Sequence, residues 1–217
     1  MFGGIAIMDD SEGLIVEARL SVKTTHSERL MTEINHALSH SGISIQDIDV
    51  FGLASGPGSF TGLRIALSTI KGFCYSTGKP VVSVPTLEAH AWNFPFSPIP
   101  VCIMLDARKK EVYAAVFRWE DNRFVRVIGE TSVRPAELIK KLEQPVLFAG
   151  EGAKLYREEI TSIAGENAVF PPLHYMVPSP SNVAYLGLKK ALAGEFSDPM
   201  KLVPLYIRRS EAEVKMG

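Results

Sequence analysis

Cysteine is scarce in this sequence, and no apolar run is long. Only two of the 217 residues are cysteines, Cys74 and Cys102, and they form no C-x-x-C pair. This scarcity argues against a disulfide framework and against a structural zinc site. No apolar run approaches the roughly 18 residues that span a bilayer, and the opening MFGGIAIMDD lacks the basic segment of a signal peptide. We therefore expect a soluble protein of the cytoplasm with no membrane association.

Charge of neither sign dominates. There are 23 basic and 24 acidic residues, so the total charge does not indicate a protein that binds nucleic acid on its own. Any polyanion partner is expected to be shared with another protein, although local basic clusters remain. The hydrophobic share of 46% is enough for a substantial core. The composition therefore predicts a globular chain of one large or two small domains.

The periodicity of apolar residues predicts a mixed α/β chain. In the first part, the residues Thr25 to Glu28 have the form of a capping box ahead of a helix that reaches Gly42. The predicted elements of this part are strands 3–8 and 13–20, the helix after Thr25, strand 48–54, helix 61–77, strand 80–84 and helix 86–93. The segment 93–100 carries three prolines and is the best candidate for a domain boundary.

The second part nearly repeats the first. Its predicted elements are strands 99–105, 111–118 and 123–129, helix 135–142, strand 145–149, helix 152–164, a last helix 181–193 and a strand 203–207. We therefore expect two related halves, residues 1–97 and 98–217, and the C-terminal tail has the option of packing back on the first half. The first half shows only two strands before its first helix, so one strand is missing from it.

The loop GPGSFTGLR, residues 56–64, connects a strand to a long helix. Its glycines and the free amides at the start of the helix suit an anion, and Ser59 is a candidate nucleophile. However, Pro57 lacks an amide proton, no G-K-[ST] follows, and Pro57 also breaks the G-x-S-x-G pattern. The composition favours a structural elbow with a helix cap. The elbow residues are Gly56, Gly58, Ser59, Thr61 and Gly62.

Two helices have the pattern of an interface. Helix 61–77 has one apolar face and, beside it, a second seam of mostly small residues that would let another helix approach closely. The preceding helix carries Met31 next to its main apolar face. We predict a partner-binding surface, although packing of both helices within the monomer explains the pattern equally well. The surface consists of Met31, Ile34, Leu38, Ile65, Thr69, Gly72 and Ser76.

Three further motifs have weaker functional interpretations. His36 and His40 are one helical turn apart, but Ala37 stands where H-E-x-x-H has its glutamate, so surface histidines are favoured. Glu151 within Gly150–Gly152 would repel a phosphate. The cations Arg108, Lys109 and Lys110 follow a predicted strand and suit a phosphate or tRNA, while a solvated hairpin explains them nearly as well.

Several stretches together resemble a known family. They are THSERL (25–30), GPGSFTGLRIAL (56–67), VPTLEAHA (84–91), DARKKEVYAAVF (106–117), GEGA (150–153) and PLYIRRSEAEVK (204–215). In this order they resemble the bacterial TsaB family, also called YeaZ, over nearly the whole chain. The loop GPGSFTGLR and the stretch DARKKEVY carry most of the specificity.

The resemblance implies an actin-like, Hsp70-like and sugar-kinase-like (ASKHA) fold of two related halves. It further implies a non-catalytic subunit, paralogous to TsaD, that works with TsaD and the ATPase TsaE. Together they make threonylcarbamoyladenosine in tRNAs that read codons beginning with A. Catalytic residues, cofactors and a metal are then expected to be absent from this chain, and tRNA is expected to be bound only through the complex. Without TsaD, we expect a homodimer.

Two departures accompany the resemblance. TsaD proteins carry a metal-binding H-x-E-G-H stretch, and Val84–His90 is similar to it with Thr86 at the place of the first histidine. His90 alone cannot replace a two-histidine site, and Thr86 suits a helix N-cap. TsaB chains also begin with a strand ending in I-D-T-S, which is the strand missing from the first half here. The N-terminus is therefore either incomplete or replaced by an unusual pairing.

Two other classes of function remain as alternatives. A stand-alone ATP-dependent phosphotransferase would have the same fold. A metallopeptidase is suggested only by a distant likeness to proteins labelled glycoproteases and by the pair His36 and His40.

Overall fold

The computed structural model describes residues 2–21 and 26–207, so the predicted cap at Thr25 lies outside the described residues. These residues form two compact units. One contains the residues up to Ala89 together with Ser179–Leu205, and the other contains His90–Pro178 together with the described residues from Tyr206 on. The mixed α/β class predicted from the sequence is confirmed.

The first unit opens with an antiparallel ladder of β1 (Phe2–Asp9) and β2 (Gly13–Ser21). The turn between them is closed by Asp9, whose Oδ1 accepts hydrogen bonds from the amides of Ser11 and Glu12 at 2.8 and 2.9 Å. Helix α1 (His26–Ser41) follows. Among its described side chains, only Ala37 is fully buried, so this helix keeps most of its surface exposed or half-buried.

A second, parallel ladder pairs β3 (Phe51–Gly56) with β4 (Val81–Pro85), and helix α2 (Phe60–Thr77) connects the two strands. Helix α3 (Thr86–Ala91) begins directly after β4. The core between β3, β4 and α2 is formed by Phe51, Cys74 and Val81. Cys74 is the only fully buried residue of α2, so this apolar helix also leaves much of its surface accessible.

The second unit is built around one five-stranded sheet. Its strands are β5 (Val101–Arg108), β6 (Glu111–Glu120), β7 (Arg123–Val133), β8 (Val146–Ala149) and β9 (Ala168–Val169), in the order β7-β6-β5-β8-β9. The continuous apolar run of β5 is buried on both faces, as expected of a central strand. Between the strands lie α4 (Pro135–Ile139), α5 (Glu151–Leu155) and α6 (Arg157–Ala164).

The chain then returns to the first unit with α7 (Pro180–Leu192), which packs against both of that unit's ladders. Two glycines allow the close approach. A Cβ on Gly4 of β1 would lie 2.2 Å from Cγ of Pro180, and a Cβ on Gly187 would lie 3.1 Å from Cγ2 of Val82 in β4. In the described residues, no strand pairing joins β1 to β3. Helix α7 contacts both ladders and so connects them through packing.

A polar cluster fixes the start of α7. Glu17 of β2 accepts hydrogen bonds from the Ser179 hydroxyl and, at 2.9 Å, from the Ser181 amide. Arg19 donates to Ser179 at 2.7 Å and lies 3.1 Å from the Glu17 carboxylate. Partial burial alone would raise the pKa of Glu17, but the hydrogen bonds from Ser179, Ser181 and Arg19 together hold it below its ordinary value.

The division into units differs from the predicted halves 1–97 and 98–217. The break falls near residue 90. Trp92, just before the proline-rich segment, and Phe96, within it, pack against Trp119 of the second unit, with ring centroids 5.3 and 5.0 Å apart. Segment 179–205 belongs to the first unit because α7 packs there.

Three predicted elements are also corrected. The helix expected over 152–164 is divided at Tyr156 into α5 and α6. The helix expected over 135–142 ends as α4 at Ile139. Residues 203–207 form no strand. In that segment, Leu205 donates one backbone hydrogen bond to Ser55 at 2.7 Å, which is a single contact and not a ladder.

We expect Glu17→Gln to lower the free energy of unfolding by about 1–2 kcal/mol at neutral pH, because a charged acceptor shared by several donors is weakened. The folded-state pKa of Glu17 is below the unfolded value, so its contribution is present above the unfolded pKa and is lost as the pH falls through the folded one. The difference in the free energy of unfolding between wild type and variant should therefore disappear in acid. Chemical denaturation across pH measures it, with Asp10→Asn in the exposed β1–β2 turn as the control. A gap that persists in acid would contradict the assigned role.

Candidate functional site

The loop after β3 is shaped by Gly56. This residue has φ of 118°, a conformation that side chains with a Cβ rarely adopt. A Cβ there would also lie 2.8 Å from the carbonyl oxygen of Leu205. Gly58, by contrast, is outside the positive-φ region, and a Cβ on it would meet Leu63 side-chain atoms at an ordinary 3.8 Å. The requirement for glycine is therefore much stronger at Gly56 than at Gly58.

Long-range hydrogen bonds hold the loop in place. The amide of Gly56 donates to the hydroxyl oxygen of Thr86 at 3.1 Å, and the hydroxyl of Ser55 donates to the carbonyl of Val84 at 3.2 Å. Thr86 is the first residue of α3, so its hydroxyl fastens the loop to the β4–α3 junction. The sequence predicts that Thr86 caps its own helix, whereas the hydrogen bond that its hydroxyl accepts from Gly56 is not evident from the sequence.

Ser59 is the N-cap of α2. Its Oγ accepts a hydrogen bond from the amide of Gly62 at 3.2 Å, and its carbonyl accepts one from Leu63 at 2.8 Å. The helix begins at Phe60, so Thr61 lies in the first turn and does not cap it. The Arg64 guanidinium stacks 3.9 Å above the ring centroid of Phe60. Ser59 thus has the contacts of a helix cap.

The residues of the predicted interface all lie at the surface or close below it, on α1 and α2. Met31 is 50% exposed. Gly72 and Ser76 are exposed, and a Cβ added at Gly72 would have no neighbour within 4 Å. The remaining four are half-buried, namely Ile34, Leu38, Ile65 and Thr69. The two helices contact each other within the first unit. Together these seven residues are called the α1–α2 surface below.

The histidines do not assemble a metal site. His36 and His40 are both exposed, with ring centroids 6.3 Å apart. Throughout residues 2–21 and 26–207, no group of three or more His, Cys, Asp or Glu side chains is placed to hold a metal ion. The pair of histidines therefore lacks the additional ligands that a metalloenzyme would need.

His90 is a core residue. It is fully buried, and burial lowers its pKa to about 4, an effect that a contact with the carbonyl of Tyr175 opposes. Nε2 lies 3.4 Å from that carbonyl oxygen, and Nδ1 has no hydrogen-bond partner among the described residues. At neutral pH the imidazole is therefore uncharged.

The cations Arg108, Lys109 and Lys110 lie at the β5–β6 turn of the second unit, and all three are exposed. Gly150, with φ of 102°, precedes the five-residue helix α5, and a Cβ on it would lie 2.2 Å from the carbonyl oxygen of Met104. The conformation of the Gly150–Gly152 segment is thus explained by packing against β5.

Three further observations concern the described residues. A shallow depression beside β3 is lined by Leu53, Ala54, Ser55, Leu63, Leu67 and Pro204, which are mostly apolar. Burial raises the pKa of the Cys102 thiol far above its ordinary value, so this cysteine stays protonated and unreactive. In the part of the chain that the structure describes, no helix is both long enough and apolar enough to cross a membrane.

Comparison with known proteins defines the class. Residues 20–216 match the family described as "TsaD: tRNA N6-adenosine threonylcarbamoyltransferase". A Pseudomonas aeruginosa structure described as similar to the peptidase YeaZ superposes with a TM-score of 0.81 at 21% identity, covering 95% of this chain and 94% of that one. The fold is therefore that of the TsaD-type domain.

Two curated relatives narrow the class to one family. The Bacillus subtilis protein named "tRNA threonylcarbamoyladenosine biosynthesis protein TsaB" is 31% identical over 98% of this chain and 92% of its own length. The Haemophilus influenzae protein of the same name is 26% identical over 85% of this chain and 80% of its own. The chain belongs to the TsaB (YeaZ) family, as the sequence motifs predicted.

We expect Gly56→Ala to destabilise the protein by roughly 2–3 kcal/mol, because the positive φ and the nearby Leu205 carbonyl both oppose a Cβ. Gly58→Ala, two residues away, should change stability by no more than about 0.5 kcal/mol. Urea denaturation of the two variants provides the comparison. Equal effects at the two positions would show that the loop is held differently.

Proposed function

We propose that this chain is a non-catalytic scaffold subunit that binds TsaD, and acts with TsaE, in forming threonylcarbamoyladenosine in tRNAs that read A-starting codons. The names of its relatives support the pathway. The observation that supports a non-catalytic role is the loss of one histidine from the stretch that is similar to H-x-E-G-H. Thr86 stands at the first histidine position and bonds Gly56, while His90 is buried and uncharged. The chain is a member of the TsaD-type class without a metal-binding pair at this place.

The strand pairings support two related halves. The antiparallel ladder β1–β2 corresponds to β6–β7, and the parallel ladder β3–β4 corresponds to β8–β9. In the second unit, β5 joins the two ladders by pairing antiparallel with β6 and parallel with β8. We propose that no strand among the described residues of the first unit is the counterpart of β5, which agrees with the strand count made from the sequence.

The α1–α2 surface is the proposed site for TsaD. Both helices are amphipathic, and both leave apolar or small side chains accessible in the isolated chain. A two-sided apolar helix without a partner favours self-association. We therefore propose that the same surface forms a symmetric homodimer when TsaD is absent.

We also propose a cytoplasmic location, because the proposed function acts on tRNA. The two buried, free cysteines are compatible with a reducing compartment.

Reconstitution tests the function. The chain, TsaD, TsaE, ATP and unmodified tRNA are combined with the remaining substrates, and modified adenosine is quantified after nuclease digestion. We expect product only when the chain is present with its partners, and no ATP turnover by the chain alone. Micromolar ATP affinity with turnover by the isolated chain would instead support the phosphotransferase. Stoichiometric zinc or iron retained after chelation would support the metallopeptidase.

Gly72→Leu tests the surface. Because a Cβ at Gly72 would have no neighbour within 4 Å among the described residues, the variant should fold as well as wild type or slightly better, since leucine favours helix. It should weaken association with TsaD roughly ten-fold or more, equivalent to at least about 1.4 kcal/mol. Calorimetry or light scattering measures association. Ser162→Leu, at an exposed position of α6, is the matched control. Unchanged association of Gly72→Leu would exclude this part of the surface.

A further inference from the structure

The β5–β6 turn has an unusual backbone for its sequence. Arg108 is paired with Glu111, so the connection consists of only Lys109 and Lys110. Their φ angles are 53° and 64°, and Arg108 before them has φ of 63°. Three consecutive residues with long side chains therefore occupy the left-handed region. Two-residue hairpin turns of this kind strongly prefer Asn-Gly, Asp-Gly or Gly-Gly.

The neighbouring hairpin provides an internal reference. The β6–β7 connection has the same length, because Glu120 is paired with Arg123. Its two residues are Asp121 and Asn122, with φ of 48° and 60°. Asp and Asn tolerate this conformation far better than Lys does. The same sheet thus has one turn with residues suited to the geometry and one with lysines in their place.

At the lysine turn, the acidic side chains have partners within the sheet, and the basic side chains are exposed. Asp106 is only 18% exposed, and its carboxylate accepts the Arg108 amide at 2.9 Å and lies 3.3 Å from the Arg108 guanidinium. Glu111 is half-buried and accepts the Ser132 hydroxyl at 2.8 Å. Asp106 is therefore engaged within the hairpin, and Glu111 is engaged by Ser132 of the neighbouring strand β7. The Arg108 side chain is 85% exposed, and both lysines are exposed.

We propose that Arg108, Lys109 and Lys110 form a contact site for the phosphate backbone of tRNA, an inference that rests on the proposed function. The three exposed cations lie at the tip of a hairpin, which suits a backbone contact without base recognition. A free phosphate would need converging donors in a concave site, which a hairpin tip does not provide. The chain as a whole has a net charge of −1, so its total charge does not attract a polyanion, and the proposed contact depends on local positive charge such as this cluster provides.

The test replaces the turn with the sequence that its backbone prefers. Lys109→Asn combined with Lys110→Gly should raise or preserve thermal stability, while two cations are removed. Affinity of the TsaD-containing complex for fluorescently labelled, unmodified tRNA is measured by anisotropy over a range of salt concentrations. We expect affinity to fall roughly ten-fold at moderate salt, and the salt slope to decrease by about 1–2, because one counterion is released for nearly every phosphate contact.

Two matched variants separate charge from turn geometry. Asn122→Gly improves the neighbouring turn without a change of charge, and should leave tRNA affinity unaltered. Lys109→Arg combined with Lys110→Arg keeps the charge, and should retain affinity. An unchanged affinity and salt slope in the Asn-Gly variant would overturn the proposed contact. Competition by polyglutamate as strong as that by tRNA would overturn the assignment to RNA.

The outcome is distinguishable from failure of the proposed function. If the wild-type chain does not support tRNA modification with TsaD and TsaE, the scaffold role itself is wrong. If it supports modification and the Asn-Gly variant binds tRNA as wild type does, only the contact site is wrong.

Discussion

The first unit depends on the packing of α7 across its two ladders. Strands β1 and β2 form one ladder and β3 and β4 another, and no described strand pairing connects them. Helix α7 contacts all four strands, reaching β1 at Gly4 and β4 through Gly187. Its first turn is fixed by Glu17 of β2. The ladders are thus joined through side-chain packing and one polar cluster, where the second unit uses the backbone hydrogen bonds of β5.

The same unit positions the surface proposed for TsaD. Helix α2 begins at a loop that two other segments hold, since Thr86 accepts a hydrogen bond from the Gly56 amide and Leu205 closely approaches Gly56. Within the loop, Ser59 caps the helix. Such constraints define where the helix starts and which face is exposed. Gly72 and Ser76 of its second seam are left exposed, while Thr69 is half-buried. The contacts that fix the start of the helix thus also determine which of its residues are exposed.

Local signals predicted much of this architecture. The apolar run at Val101–Leu105 indicated a strand, and the loop before the predicted helix 61–77 indicated a cap from Ser59 or Thr61, of which Ser59 is the observed one. The break at Tyr156 has no such signal, because neither glycine nor proline stands there and packing decides it. The association of α7 with β1, and the bond between Thr86 and Gly56, join residues distant in sequence. A single sequence does not specify such pairs, and the residues proposed for the interface were selected only by their helical spacing.

The return of the chain to the first unit has a consequence for biosynthesis. Residues up to Ala89 leave the ribosome first, but Ser179–Leu205 are needed to complete their unit. The contiguous segment His90–Pro178 emerges in between and contains every strand of its own five-stranded sheet. Although domains generally fold in the order of synthesis, here the second unit is able to finish while the first still lacks α7. Until α7 emerges, the faces of the two ladders that it covers are exposed, and exposed apolar surface of this kind makes a chain prone to aggregation.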